Sequence, residues 1–298
     1  MTALIGLDWG TSNCRAFRIA RDGAVLETRA AAQGILAVKN GDFAAAYEAL
    51  IGDWLKAHAV PVLMCGMIGS RQGWVEAPYV DLPAGAAQLA CALAKVPGQL
   101  AAIVPGLVGD ALAGGRDVIR GEETQIVGAL DPQEHDALYC LPGTHSKWVK
   151  VEGGRMVRFA TFMTGEVYGV LRQHSILGRL MESETHDDRA FSAGIERGRS
   201  PGGLLHQIFS VRTEGLFGAM TPAALPSYLS GLLIGHELRA ALAAFPAARI
   251  VLVGAPALTE RYRAAIDREG RASATVAGEG AAAKGLWRIA EKAGYFTS

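Results

Sequence analysis

The chain has 298 residues, 29 basic and 29 acidic, and half of its residues are hydrophobic. That length suits one large or two medium domains with a substantial core, and the balanced charge lacks both the basic excess of a nucleic-acid binder and the charged run of a disordered arm. The uncharged, Ala-rich run from Leu82 to Ala94 is closed by Lys95 and Pro97; it falls short of the roughly 20 apolar residues of a spanning helix, so no membrane partner is expected. The first ten residues lack the basic start and long apolar run of a signal peptide, which makes the cytoplasm the expected location. Cys14, Cys65, Cys91 and Cys140 form no C-x-x-C pair and no zinc spacing, so they read as buried free thiols.

In chain order, Leu4 to Asp8 reads as an apolar strand ending in an acid. The turn Trp9-Gly10-Thr11-Ser12-Asn13 comes next, then strands over 15–20 and 24–31 joined at Arg21-Asp22-Gly23. Phe43 to His58 has helical apolar spacing, with Phe43, Tyr47, Leu50, Ile51 and Trp54 on one face. Continuous apolar runs at 61–65 and 101–105 read as buried strands, and 121–130 as a helix with acids in its first turn. A second meander is expected over 137–142, 147–151 and 155–162. Helices are expected near 165–180 and 222–245, then a strand at 249–253, a helix at 258–269, a strand at 272–277 and a last helix from about 280. The halves look duplicated, with the boundary in the Asp131–Asp136 turn, giving expected domains 1–130 and 131–298. The run Glu182, Glu184, Asp187 and Asp188 reads as a wet surface.

Two strand–turn–strand segments carry the chemical signal. Gly10, Thr11, Ser12 and Asn13 form one turn; Gly143, Thr144, His145, Ser146 and Lys147 form the other. Each offers backbone N–H groups and hydroxyls to phosphate oxygens, as anion-binding nests do. Asp8 adds a carboxylate able to hold a hydrated Mg2+ beside those phosphates. The ordered pair points to a nucleotide clamp and phosphoryl transfer. His236-Glu237 lacks the second His of a zinc-protease helix, because Ala240 occupies that place, and no P-loop pattern occurs.

The paired pattern resembles the sugar kinase/hsp70/actin superfamily: Asp8, Gly10, Thr11, Ser12 and Arg15 fill its first phosphate motif, and Gly143 and Thr144 its second. Ile250 to Ala255 fills the adenosine motif through Gly254, with Ala255 where a second glycine is usual. The resemblance implies an α/β, two-domain, actin-like (ribonuclease H-like) ATPase fold with an interdomain active-site cleft. In carbohydrate kinases of this fold, a helix placed like 121–130 carries the catalytic acid at its start. That acid is an Asp in those kinases; here the expected one is a Glu, Glu122 first and Glu123 as the alternative, and the other reading is that both only favour the helix N-terminus.

Further blocks occur in order: Gly66-Met67-Ile68-Gly69-Ser70 with Gly73-Trp74, Arg120 to Gln125, Pro142 to Trp148, Met163 to Glu166 and Leu229 to Gly235. Over essentially the whole chain these resemble the 2-dehydro-3-deoxygalactonokinase family. The resemblance implies ATP-dependent phosphorylation of the 6-hydroxyl of 2-dehydro-3-deoxy-D-galactonate in galactonate breakdown, with ATP and Mg2+ as cofactors. Its expected acceptor contacts are Met67, Ser70, Arg71, Trp74 and Arg120. Arg120 could grip either the acid's carboxylate or the transferred phosphate, and Trp74 could cover the carbon chain or pack a loop. The rival readings are a kinase for a related 2-keto-3-deoxy acid such as the gluconate epimer, a non-catalytic actin-like ATP sensor, and an activator ATPase with an iron–sulfur cluster. A homodimer stays open.

Overall fold

The structure is a computed structural model and describes all residues except 132, 134, 183–185, 247, 248, 297 and 298. Glu184, and Pro132 and Glu134 of the expected boundary turn, therefore lie outside the described residues.

β1 (Thr2–Trp9) is apolar on both faces because it runs inside a sheet. β2 (Cys14–Ala20) pairs antiparallel with it and β3 (Val25–Ala31) with β2. α1 (Phe43–Ala57) starts where the Asp42 side chain accepts from the Ala45 N–H, satisfying an orphan donor of the first turn. It buries Phe43, Tyr47, Ile51 and Trp54, the face its spacing predicts. β4 (Val62–Cys65) is wholly buried and parallel to β1, with Cys65 opposite Asp8. Next in the chain are β5 (Tyr79–Asp81), α2 (Ala86–Cys91), β6 (Ala94–Lys95), β7 (Ala101–Ile103), β8 (Gly106–Asp110), β9 (Arg116–Ile119) and α3 (Glu122–Ala129).

The chain then repeats its meander in β10 (Ala137–Leu141), β11 (Ser146–Glu152) and β12 (Arg155–Phe162). α4 (Thr164–His174), α5 (Asp188–Arg199), α6 (Leu204–Gln207), α7 (Ser210–Leu216) and α8 (Leu225–Ala244) come next. β13 (Ile250–Gly254), α9 (Pro256–Asp267), β14 (Ser273–Ala277) and α10 (Gly278–Lys292) complete the order.

The first sheet runs β3-β2-β1-β4-β7-β6 and the second β12-β11-β10-β13-β14. Five strands of the first sheet and all five of the second share one plan: an antiparallel meander whose first strand lies beside the crossover strand. That crossover strand is parallel in both, β1 with β4 and β10 with β13. β5, β8 and β9 make a separate three-stranded sheet that short, half-exposed strands did not announce. α2, β6, α5, α6 and α7 also lie beyond the expectation, and α5 bears on one reading of the sequence. The acidic run expected as plain surface opens α5: Asp187 accepts from the Ala190 N–H, an N-cap, while Asp188 stays exposed. Cys91 is exposed; Cys14, Cys65 and Cys140 are buried as expected.

The chain groups into two compact units, one of residues 1–137, 149–159 and 276–298, the other of 138–148 and 160–275. In the first, β1, β4 and α1 share a core that includes Ile5, Leu7, Tyr47, Ile51, Trp54 and Met64. α10 lies against α3 without room for side chains: a β-carbon on Gly128 would meet the Ala281 carbonyl oxygen at 1.8 Å, and one on Gly285 the Thr124 oxygen at 1.9 Å. In the second unit, Gly194, Gly198, Gly231 and Gly235 allow the same backbone-to-backbone approach of α5 and α8.

Candidate active site

In the first unit the β1–β2 turn is fixed by its carbonyls. Gly10 N–H donates to the Asn13 oxygen (2.9 Å), while Gly34, Ile35 and Leu36 N–H groups donate to the oxygens of Ser12, Gly10 and Thr11 (2.9, 3.0 and 3.3 Å). With all four carbonyls held on the protein side, Thr11, Ser12 and Asn13 remain exposed for a polar ligand. Gly34 is essential to this, since a β-carbon there would lie 2.2 Å from the Thr11 oxygen.

Asp8 stands at the head of the turn. Burial pushes its carboxyl above the usual range, Arg15 pulls it down, Glu122 pushes it up, and a Gln125 hydrogen bond lowers it. Arg15, paired across the strands with Asp8, also reaches Glu279 at 3.9 Å. Asp8, Arg15, Glu122 and Gln125 are thus one electrostatic cluster. Gly66 (φ +93°) and Gly121 (φ +107°) let three backbone segments meet beside it: a β-carbon on Gly66 would sit 2.8 Å from the Trp9 oxygen, and one on Gly121 3.1 Å from Gly66 Cα.

The two candidate bases differ sharply. Glu123 is fully buried; its Oε2 accepts from the Gly121 N–H (2.6 Å) and its Oε1 from the Thr124 hydroxyl (2.9 Å). Burial, then the neighbouring Glu122, push its carboxyl up to about 7. Glu122 is partly exposed, and its Oε2 accepts from the Arg120 N–H (3.0 Å).

The expected acceptor residues divide into three groups. Arg120 lies against Gly69, whose β-carbon would sit 2.9 Å from its Nη1, and Ser70 is the next residue of that loop, with its hydroxyl buried. Trp74 and Met67 are half-buried against the α1 core, Trp74 at 5.1 Å from the Tyr47 ring. Arg71 is exposed and paired with Glu76 at 3.0 Å.

In the second unit, Thr144 and His145 form the exposed tip of the β10–β11 turn, while Ser146 and Lys147 are buried at the start of β11. α4 clasps this tip. The Glu166 N–H donates to the Thr144 oxygen (2.9 Å), the Glu166 carboxylate hydrogen-bonds His145, and a β-carbon on Gly165 would lie 2.4 Å from the Gly143 oxygen. Below it lies a buried carboxylate. Glu237 accepts from Trp148 Nε1 (2.7 Å), the Tyr262 hydroxyl (2.7 Å) and the Thr164 hydroxyl, and Tyr262 meets Ser146 at 2.8 Å. Burial raises the Glu237 carboxyl and these hydrogen bonds oppose the rise.

A cavity of about 260 Å³ opens beside the turn, lined by Gly143, Thr144, Tyr168, Ser230, Leu233 and Arg261 among others. Gly254 ends β13 near it, with a β-carbon position 3.8 Å from the Pro142 oxygen. A larger cavity of about 310 Å³, against Asp81, Asp110 and Arg116, touches none of the motif residues. Gly34, Gln125 and Glu237 are the residues that sequence reasoning missed as site elements. Only Glu237 carried a signal, as a lone acid in an apolar helix.

The chain agrees in sequence with known proteins over nearly its whole length. The family described as 2-keto-3-deoxy-galactonokinase matches residues 8–289. The 2-dehydro-3-deoxygalactonokinase of Escherichia coli (strain K12) is 37% identical over 295 residues, 97% of this chain and 98% of that protein. The crystal structure of a protein assigned as a 2-dehydro-3-deoxygalactonokinase from Sinorhizobium meliloti superposes with a TM-score of 0.88 at 35% identity, covering 97% of this chain and 98% of the other. Component A of the Acidaminococcus fermentans (R)-2-hydroxyglutaryl-CoA dehydratase has a TM-score of 0.56 at 13% identity, covering 98% of this chain and 99% of that one; at that distance it shares the fold alone. With its two glycine–hydroxyl turns on matching meanders, and with family agreement from Asp8 to Ile289, this chain belongs to the 2-keto-3-deoxy-galactonokinase family and has its two-domain, actin-like α/β fold.

Proposed function

We propose that this chain transfers the γ-phosphoryl group of ATP to the 6-hydroxyl of 2-dehydro-3-deoxy-D-galactonate, in the cytoplasm, as a step of galactonate breakdown. The near-complete alignment with the Escherichia coli enzyme of that name carries the reading. Residues 1–130 and 131–298 are the proposed ribonuclease H-like domains.

Phosphoryl transfer asks a protein chiefly for positioning and charge stabilisation. Gly10, Thr11, Ser12, Asn13 and Arg15 are the proposed phosphate contacts of the first turn. Gly143, Thr144, His145, Ser146 and Lys147 serve the second, with Gly254 toward the nucleoside. The 260 Å³ cavity supports that direction, because it joins apolar walls such as Leu233 to the phosphate turn. Met67, Ser70, Arg71, Trp74 and Arg120 are the proposed acceptor contacts. Glu122 is the proposed base that orients the hydroxyl and takes its proton; Glu123 is the alternative.

Mg2+ fits Asp8. Its carboxylate lies in the repulsive field of Glu122, and a divalent cation held by one carboxylate, water and phosphates would relieve that field. When bound, it would neutralise charge on the transferring phosphate. The assay is turnover with ATP, Mg2+ and each epimeric 2-keto-3-deoxy acid. A higher kcat/KM for the galactonate-derived acid is expected; preference for the gluconate-derived epimer would replace the substrate, and no transfer to either would overturn the kinase reading.

A further inference from the structure

Just beyond β9 the chain buries a cation with unspent hydrogen bonds. Arg120 is only 8% exposed. Its Nη2 donates to the Ala77 carbonyl at 2.9 Å, and its guanidinium carbon lies 4.2 Å from the centre of the Tyr79 ring. Nε and Nη1 have no hydrogen-bond partner, and among the described residues no carboxylate lies within 4 Å of the group. One residue from Gly69, which the guanidinium nearly touches, the Ser70 hydroxyl is also buried without a partner. A buried charge whose donors go unused is costly. A buried guanidinium with two unused donor atoms, beside a loop whose next hydroxyl is also unused, is suited to an anionic ligand.

We infer that Arg120 and Ser70 form the subsite for the carboxylate of the acceptor acid. The inference rests on the sugar-acid kinase reading above and decides between the two roles open to Arg120. Nη2 carries one hydrogen toward Nε and one toward Nη1. Ala77 uses one of them, so one two-pronged edge of the guanidinium stays complete for a planar carboxylate. Tyr79 holds the plane of the group, and Ser70 adds a third donor. The transferring phosphate has a different cation. Arg15, not Arg120, is the one whose charge is felt at Asp8 and which flanks the first phosphate turn. Arg120 lies instead against the Gly69–Tyr79 loop, apart from that turn in sequence and in hydrogen bonding. Anchoring the acid at its C1 end leaves the C6 hydroxyl, at the other end of the chain, to be presented to the base. The subsite therefore selects acids over the corresponding neutral sugars.

The test compares the 2-keto-3-deoxy acid with its C1 carboxamide in wild type, Arg120→Met, Arg120→Lys and Ser70→Ala. Wild type is expected to favour the acid about 10²-fold in kcat/KM, the worth of hydrogen bonds to a charged group. Arg120→Met should bring that ratio near one by raising the KM of the acid, with the KM of ATP unchanged. Arg120→Lys should restore part of it, and Ser70→Ala should lose about tenfold or less. Calorimetric binding of acid and amide without ATP, on variants whose thermal unfolding matches wild type, reads the same ratio independently of turnover. An acid-to-amide ratio preserved in Arg120→Met, or a loss confined to kcat, would overturn the subsite and return Arg120 to the phosphate. Absence of turnover in wild type with selective binding intact would overturn the kinase reading alone.

Discussion

Glu122 and Glu123 are adjacent, yet their surroundings assign them different work. Glu123 spends both oxygens inside its own helix start, and burial pushes its carboxyl up to about 7. Glu122 is partly exposed and close enough to Asp8 for their charges to interact. Glu122→Gln keeps size and hydrogen bonding but removes the proton acceptor. Its kcat should fall by about 10²- to 10⁴-fold with little change in ATP affinity, because the lost interaction belongs to the transition state. Glu123→Gln, a neutral isostere of a carboxyl that is already half protonated near pH 7, should retain most of kcat. Steady-state kinetics on both variants reads the ranking. The reverse order would move the base to Glu123, and full activity in both would remove α3 from the chemistry.

The elements that present these residues are set by close backbone approach, and that is testable at Gly128. A β-carbon there would run into the Ala281 carbonyl, a backbone atom that no rotamer change can move. Gly128→Ala should cost at least the roughly 1–3 kcal/mol of overpacking and shift α3, lowering kcat as well. Gly280, on the same α10 but with nothing within 4 Å of its β-carbon position, is the control: alanine there should stabilise by about 0.4–1 kcal/mol. Denaturant unfolding measures both. A neutral Gly128→Ala would mean that α10 does not hold α3. The sequence made the strands and turns of this arrangement legible, because an apolar strand that ends in Asp8 before Gly10 and two hydroxyl residues is a local signal. It could not show Gly34 under the turn, and for Glu237 beneath the second one it offered only a lone acid in an apolar helix, since both act on residues distant in the chain. The cap at Asp187 is hidden for a related reason: a capping acid and a solvated acid are the same residue type, and only the helix that Asp187 opens tells them apart.

At the scale of the whole molecule, the site's carboxyls tie its stability to pH. Asp8, Glu123 and Glu237 are all raised by burial. Between the ordinary value of 4.5 and about 7, the folded chain keeps the Glu123 proton that the unfolded chain releases. The folded state then binds more protons, so this contribution to stability is complete below 4.5 and is lost as pH rises through 7. Asp53 works in the opposite sense. Arg29, bonded to both its oxygens, holds its carboxyl at about 2, so its contribution is present above 3.8 and is lost as pH falls toward 2. The two limbs place maximum stability in mildly acid solution, between them. The melting temperature should therefore decline from pH 5 to pH 8 in the ligand-free protein. Glu123→Gln cannot release a proton on unfolding, so it should flatten that decline while leaving the loss below pH 4 untouched. Calorimetric scans of both proteins across pH 3–8 read the slopes. An equal decline in wild type and Glu123→Gln would show that the Glu123 carboxyl is already ionised in the fold, and with it that burial does not govern the charge at the start of α3.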